Sequence, residues 1–227
     1  ADVLRAAFRL TNIRGALITM PHKVTSVGIL DAGSEAVRIS GACNAILKRP
    51  DGSLFGEMFD GEGFVRGLGR KGFELDGISA LVVGAGGVGS AIAAALAGRG
   101  VASIKLSDVR EAAAEQLVGR LRTHFPAVAF RHGEAEPSGY ELVVNATPLG
   151  MSANDPLPFD MTRLDPATFV GEVVLEPAET PLLRAAQARG CRVQTGIEML
   201  FEQIPAYLEF LGFGTATPDE LRAVSGL

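Results

Sequence analysis

The sequence predicts an α/β chain: a doubly wound parallel sheet, with a smaller α/β unit in front of it. Three observations predict it. From Ile78 onward, strand-sized apolar runs alternate with helical patterns across short connections, which implies a parallel sheet covered on both faces. One strand-to-helix joint, Leu81-Val82-Val83-Gly84-Ala85-Gly86-Gly87-Val88-Gly89-Ser90-Ala91, carries a Gly-x-Gly-x-x-Gly turn. The residues before Ile78 mix short strands and helices around a Pro50-Asp51-Gly52 turn.

Taken in order, residues 2–9 place Val3, Leu4, Ala7 and Phe8 on one side of a helix. Residues 15–20 read as a buried strand, and Pro21 suits the first turn of a helix. Residues 42–47 and 53–56 read as two strands joined at Pro50-Asp51-Gly52. A helix over 61–68 leads out of this part. Strands follow at 80–83, 103–106, 127–131, 142–145, 169–174 and 192–195. Helices fall at 87–97, 111–123 and 181–188, then a long one at 196–211 with apolar Ile197, Leu200, Phe201, Ile204, Tyr207 and Leu208. A last short helix follows Pro218. The expected units are 1–70, 71–198 and 199–227, the last returning to the first.

Composition narrows the function. The chain has 227 residues, and 47% are hydrophobic, enough for a sizeable core. A net charge of −5 argues against a general nucleic-acid surface. The longest apolar runs are strand-sized or broken by Gly, so no membrane span is expected. No cationic and apolar leader opens the sequence. Cys43 and Cys191 lack metal spacing and read as buried thiols of a cytoplasmic protein. His22, His124 and His132 form no ligand cluster, so no metal is expected.

The glycine turn has a chemical meaning, because strand, turn and helix are contiguous. This is the dinucleotide-binding fingerprint of a Rossmann-type sheet. Gly84 makes the tight turn, Gly86 admits a pyrophosphate, and Gly89 brings the helix close to the strand. Gly87, Val88 and Gly89 open the helix, whose free N–H groups and positive dipole end suit phosphate. Asp108 follows the next strand, close to the expected distance of about twenty residues after the glycines. A carboxylate there binds ribose hydroxyls and repels a 2′-phosphate, which favours NAD over NADP. Asp is also a good cap for the helix starting near Glu111. Arg110 works the other way, since an arginine nearby accommodates a 2′-phosphate.

Five further motifs resemble those of the shikimate/quinate dehydrogenase family, in the family's order. Thr19-Met20-Pro21-His22-Lys23 is similar to its T-x-P-x-K, and Gly41-Ala42-Cys43-Asn44-Ala45 to its G-A-x-N-T. Gly56-Glu57-Met58-Phe59-Asp60-Gly61-Glu62-Gly63-Phe64 resembles G-x-N-T-D-G-x-G-F. Asn145-Ala146-Thr147-Pro148-Leu149-Gly150-Met151 matches the loop that runs under the nicotinamide. Gly196-Ile197-Glu198-Met199-Leu200, with Gln203, resembles the G-x-x-M-L-x-x-Q helix start. The resemblance implies an NAD(P)-dependent oxidoreductase that moves a hydride between nicotinamide and a hydroxyl of a small carboxylated ring. A monomer or homodimer is expected. Two alternatives stay open: a dehydrogenase of another hydroxy acid, and a non-catalytic nucleotide or metabolite sensor.

The resemblance also implies roles. Lys23 is the general acid/base; a lysine does this near neutrality only where its surroundings weaken its hold on the proton. Asp60 holds Lys23 and binds a substrate hydroxyl, or else caps the 61–68 helix. Thr19, Asn44 and Gln203 face the substrate, while Asn145, Thr147, Met151 and Met199 face the nicotinamide side. Asn44 and Gln203 read equally as a loop amide and a solvated helix residue, and both methionines as simple packing. In the family, paired serines for the substrate carboxylate stand before the segment matched here; either they precede Ala1 or that site is altered. Leu17, Ala45, Met58 and Phe59 replace polar groups of the family pattern, which is expected to change the substrate more than the reaction.

Overall fold

The computed structural model describes residues 2–225; residues 1, 226 and 227, at the ends of the expected first and last units, lie outside them. After α1 (Asp2–Ala7) come four strands, β1 (Gly15–Leu17), β2 (Ala32–Gly33), β3 (Ala45–Lys48) and β4 (Leu54–Glu57), in the sheet order β1-β3-β4-β2. β3 runs antiparallel to β1 and β4, and β2 runs parallel to β4. Phe8, Ile18, Ile29, Val37, Ile46 and Leu54 pack between this sheet and its helices.

Three features of this part differ from expectation. The strand expected at 15–20 is only Gly15–Leu17 and lies at the sheet edge, with Leu17 56% exposed. Among the described residues it pairs with β3 alone, and its burial is incomplete. Pro21 opens no helix: it follows a cis bond, and the chain turns before a 3-10 segment at Thr25–Ile29. A short helix α2 (Glu35–Ser40) also intervenes. Ser34 starts it by accepting from Val37 N at 3.2 Å, and Gly41 ends it in the left-handed region at φ 68°. Its six residues are too few for a helical period to stand out in the sequence.

The second sheet has six strands, β5 (Ser79–Val83), β6 (Ser103–Ser107), β7 (Ala129–His132), β8 (Leu142–Asn145), β9 (Phe169–Glu172) and β10 (Arg192–Gln194). All are parallel, in the order β10-β9-β8-β5-β6-β7. Alternate residues of a strand point to opposite faces. On β5, Ala80 and Val82 accordingly join the core beneath α4 (Gly87–Ala97) and α5 (Glu111–His124). Leu81 and Val83 join the other core, with α6 (Pro181–Ala188). The order reverses between β5 and β8, and sheets of this kind bind ligands beyond the strand ends at that point.

Three helices link the two sheets. α3 (Asp60–Arg70) lies between α4 and α7 (Gly196–Leu211). Glycines permit this closeness: a Cβ on Gly61 would stand 2.2 Å from the Ala91 carbonyl oxygen, and one on Gly63 2.3 Å from Gln203 Cγ. Thr195 and Glu198 form a capping box that starts α7. α8 (Pro218–Ser225) is tied back by Arg70–Asp219 at 2.6 Å and Arg222–Glu202 at 3.2 Å. Among the described residues, no helix is long and apolar enough to cross a membrane.

Candidate active site

At the C-terminal end of β5 the chain must reverse at once into α4. Gly84 does so at φ 106°, a region that L side chains avoid. A Cβ on Gly89 would lie 1.8 Å from the Gly84 carbonyl oxygen, so only glycine lets α4 rest on the turn. At Gly86 the space is open: an added Cβ meets nothing within 4 Å. Gly86 is the helix N-cap and offers no side-chain cap, so the amides of the first turn, Gly87 and Val88 among them, lack a side-chain cap at the dipole end. Open space, uncapped amides and a positive helix end fit a dinucleotide pyrophosphate.

Asp108 stands just past β6 and is fixed from two sides. Its Oδ2 accepts from Ala85 N at 2.7 Å and its Oδ1 from Arg110 N at 2.8 Å. It does not cap α5, whose N-cap is Arg110. The Arg110 side chain is exposed, with Nε 3.5 Å from Asp108 Oδ1.

Past β8, Asn145 organises its own loop. It is fully buried; Nδ2 donates to Leu149 O at 3.0 Å and to Glu172 Oε1 at 2.8 Å. Its Oδ1 accepts from Thr147 N and from Thr147 Oγ1. Thr147 Oγ1 accepts in turn from Leu149 N at 3.1 Å. These bonds make the Asn145 side chain the brace of the loop backbone. Glu172, fully buried between Asn145 and Thr180, was not foreseen. Burial pushes its carboxyl up to about 7, against hydrogen bonds from Thr180, Val173, Val174 and Asn145 that oppose the shift. Met151 is half-exposed on the same loop, and Met199 is buried in the core with Phe64 and Val65.

The other half of the site is a polar cluster around Asp60. Lys23 Nζ lies 2.6 Å from Asp60 Oδ2; the Lys23 side chain is 15% exposed and that of Asp60 2%. Asp60 Oδ1 accepts from Asn44 Nδ2 at 2.8 Å and Gln203 Nε2 at 3.1 Å. Asp60 is the first residue inside α3, whose N-cap is Phe59, so its carboxylate faces this cluster and does not cap the helix. Asn44 and Gln203 are both buried, which excludes the solvated reading of Gln203. Lys23 also borders the nucleotide turn: a Cβ on Gly87 would sit 3.0 Å from Lys23 Cβ. Lys23 stands in the turn just before the 3-10 segment Thr25–Ile29. Thr19 is exposed and stands outside the hydrogen-bonded cluster.

Tyr207 is a member that the sequence did not single out. Its hydroxyl donates to Gln203 Oε1 at 2.9 Å and accepts from Asn44 Nδ2 at 2.8 Å. Burial and then the Asp60 charge push its phenol above the ordinary tyrosine range. The available signal was its position four residues after Gln203, on the same helical face. Of the four departures from the family pattern, Met58 and Ala45 are core residues and Leu17 is exposed. Phe59 touches the cluster, edge-on to Tyr207 with centroids 5.3 Å apart.

The glycine turn and the part-buried lysine–carboxylate pair meet at Gly87 and Lys23. A turn fit for a dinucleotide beside a lysine–carboxylate pair is in keeping with a pyridine-nucleotide-dependent oxidoreductase acting on a CH–OH group. No protein-family model matches the chain. It is 35% identical over 223 residues to the shikimate dehydrogenase (NADP+) of Rubrobacter xylanophilus, a match that covers 96% of this chain and 78% of that protein. Quinate dehydrogenase from Corynebacterium glutamicum, solved with NAD, is 33% identical with a TM-score of 0.85, over 98% of this chain and 80% of that one. A Gluconobacter 5-ketofructose reductase is 29% identical with a TM-score of 0.82, over 96% and 79%. The chain belongs to the shikimate/quinate dehydrogenase family.

Proposed function

We propose that this chain catalyses the reversible oxidation of a ring hydroxyl on a small carboxylated ring: shikimate, quinate or a close analogue. The observation that carries this reading is the Lys23–Asp60 pair, part-buried at 2.6 Å and packed against the nucleotide turn at Gly87. When bound, the nicotinamide supplies or accepts the hydride. Lys23 gives a proton to the carbonyl oxygen during reduction and takes it from the hydroxyl during oxidation. Asp60 holds the ammonium in place, and Asn44 and Gln203 hold Asp60. The amides of Gly87 and Val88 bind pyrophosphate at the α4 N-terminus. Asn145 and Thr147 set the loop on the nicotinamide side.

NAD is the favoured nucleotide. Asp108, fixed by Ala85 N, receives ribose hydroxyls and repels a 2′-phosphate. Residues 1–70 with 199–227 hold the substrate, and 71–198 hold the nucleotide. Each chain carries both halves of the site, which suits a monomer or a homodimer. Both cysteines are free buried thiols, in keeping with a cytoplasmic enzyme. The test follows NADH and NADPH absorbance with shikimate and quinate. Turnover of either acid supports the reading; nucleotide binding with no turnover of any ring acid rejects it. A second reading, a less hydroxylated substrate, is favoured by Tyr207, which already occupies Asn44 and Gln203.

A further inference from the structure

A carboxamide nitrogen has two hydrogens to give. In Asn44 both are used, one on Asp60 Oδ1 and one on the Tyr207 hydroxyl, each at 2.8 Å. Its Oδ1 already accepts from Phe59 N at 3.0 Å. The Tyr207 hydroxyl lies between an amide that donates to it and the Gln203 oxygen that accepts from it at 2.9 Å. That pair of partners is what a ring hydroxyl needs, and a protein hydroxyl already holds it. The phenol ring is also braced. Phe59 meets it edge-on at 5.3 Å and 90°, and Phe210 backs Phe59 at 5.6 Å and 73°. Such edge-to-face pairs favour one ring orientation.

We propose that Tyr207 is a specificity-determining residue that stands in for one substrate hydroxyl, so that the site prefers a cyclic acid with one hydroxyl fewer than shikimate on the edge beside Asp60. This rests on the ring-acid dehydrogenase reading above. A hydroxyl brought to that edge loses its water and finds the Asn44 donors occupied, and an unmatched buried hydroxyl is costly. A substrate lacking it leaves the Asn44–Tyr207–Gln203 bonds intact. Phe59, where the family pattern has a polar residue, serves this arrangement by fixing the phenol. The class of ligand is a hydroxylated or keto cyclic carboxylate that is apolar on one edge.

The test compares kcat/KM for shikimate and for its analogue lacking the hydroxyl next to the reacting one, in the wild type, Tyr207→Phe and Tyr207→Ala. The wild type is expected to favour the deoxy analogue. Tyr207→Phe frees one Asn44 hydrogen and the Gln203 oxygen, and the shikimate-to-analogue ratio should rise tenfold or more, the order of one good hydrogen bond. Tyr207→Ala adds room and should raise it further. Nucleotide affinity and the melting temperature of Tyr207→Phe report an intact fold; should Tyr207→Ala not fold, Tyr207→Phe carries the test. A wild type that favours shikimate, or equal losses on both substrates, or an unchanged ratio in the variants, overturns the proposal and leaves the dehydrogenase reading standing. A wild type that turns over neither acid overturns both.

Discussion

Glu172 makes stability depend on pH in a direction opposite to that of most carboxylates. It is fully buried; Oε1 accepts from Asn145 Nδ2 at 2.8 Å and Oε2 from Thr180 Oγ1 at 2.9 Å. Among the described residues no cation pairs with it. Burial raises it from an ordinary 4.5 to about 7. Below pH 4.5 the group is protonated in both the folded and the unfolded chain. Between 4.5 and 7 the unfolded chain releases the proton while the fold retains it. The folded state then binds more protons, so stability falls as pH rises through this window. At 1.36 kcal/mol per pKa unit, the loss approaches about 3 kcal/mol once pH has passed 7. Glu172→Gln keeps the shape and removes the titration. Urea unfolding at pH 5 and pH 8 should show the variant gaining about 2.5 kcal/mol on the wild type between the two conditions, since part of the loss has already occurred at pH 5. The comparison cancels the other carboxylates, which titrate in both proteins. Parallel pH profiles for the two proteins would refute the reasoning.

Further expectations concern the site residues. Lys23→Met should lower kcat by about 10²–10⁴, with little change in nucleotide affinity. It should also cost a few kcal/mol of stability, since Asp60 is left buried with amide donors alone; near-full turnover would place the acid/base elsewhere. Asp108→Asn should shift the ratio of NAD to NADP kcat/KM tenfold or more toward NADP, and a wild type that already prefers NADP would assign the phosphate to Arg110. Gly86→Ala meets nothing within 4 Å, so it should leave the melting temperature unchanged while weakening dinucleotide binding. Gly89→Ala, with its Cβ 1.8 Å from a backbone oxygen, should prevent folding of the turn; wild-type stability for Gly89→Ala, or wild-type affinity for Gly86→Ala, contradicts the assignment. Phe59→Thr unbraces Tyr207 and should raise the shikimate-to-deoxy ratio in steady-state kinetics; no change means the ring serves packing only.

Local features were legible in the sequence. The turn at Gly84–Gly89 could be read because strand, glycines and helix are contiguous and each glycine answers a local demand. α4, α6 and α7 begin and end where expected, and in the structure Thr180 and Thr195 cap the starts of α6 and α7. Lys23, Asp60, Asn44 and Gln203 were named from short motifs, although nothing in the chain order says that they meet. The tertiary structure decided that. Asp60 gathers partners 37 residues before it and 143 after it, because glycines draw α3 against α4 and α7. The structure also turned Asn145 inward, left β1 at an edge, buried Glu172 without a cation, and brought Tyr207 to Asn44 across 163 residues. Burial and long-range pairing depend on which elements become neighbours. A tyrosine in an apolar helical stripe looks the same in sequence whether its hydroxyl meets solvent or a buried amide.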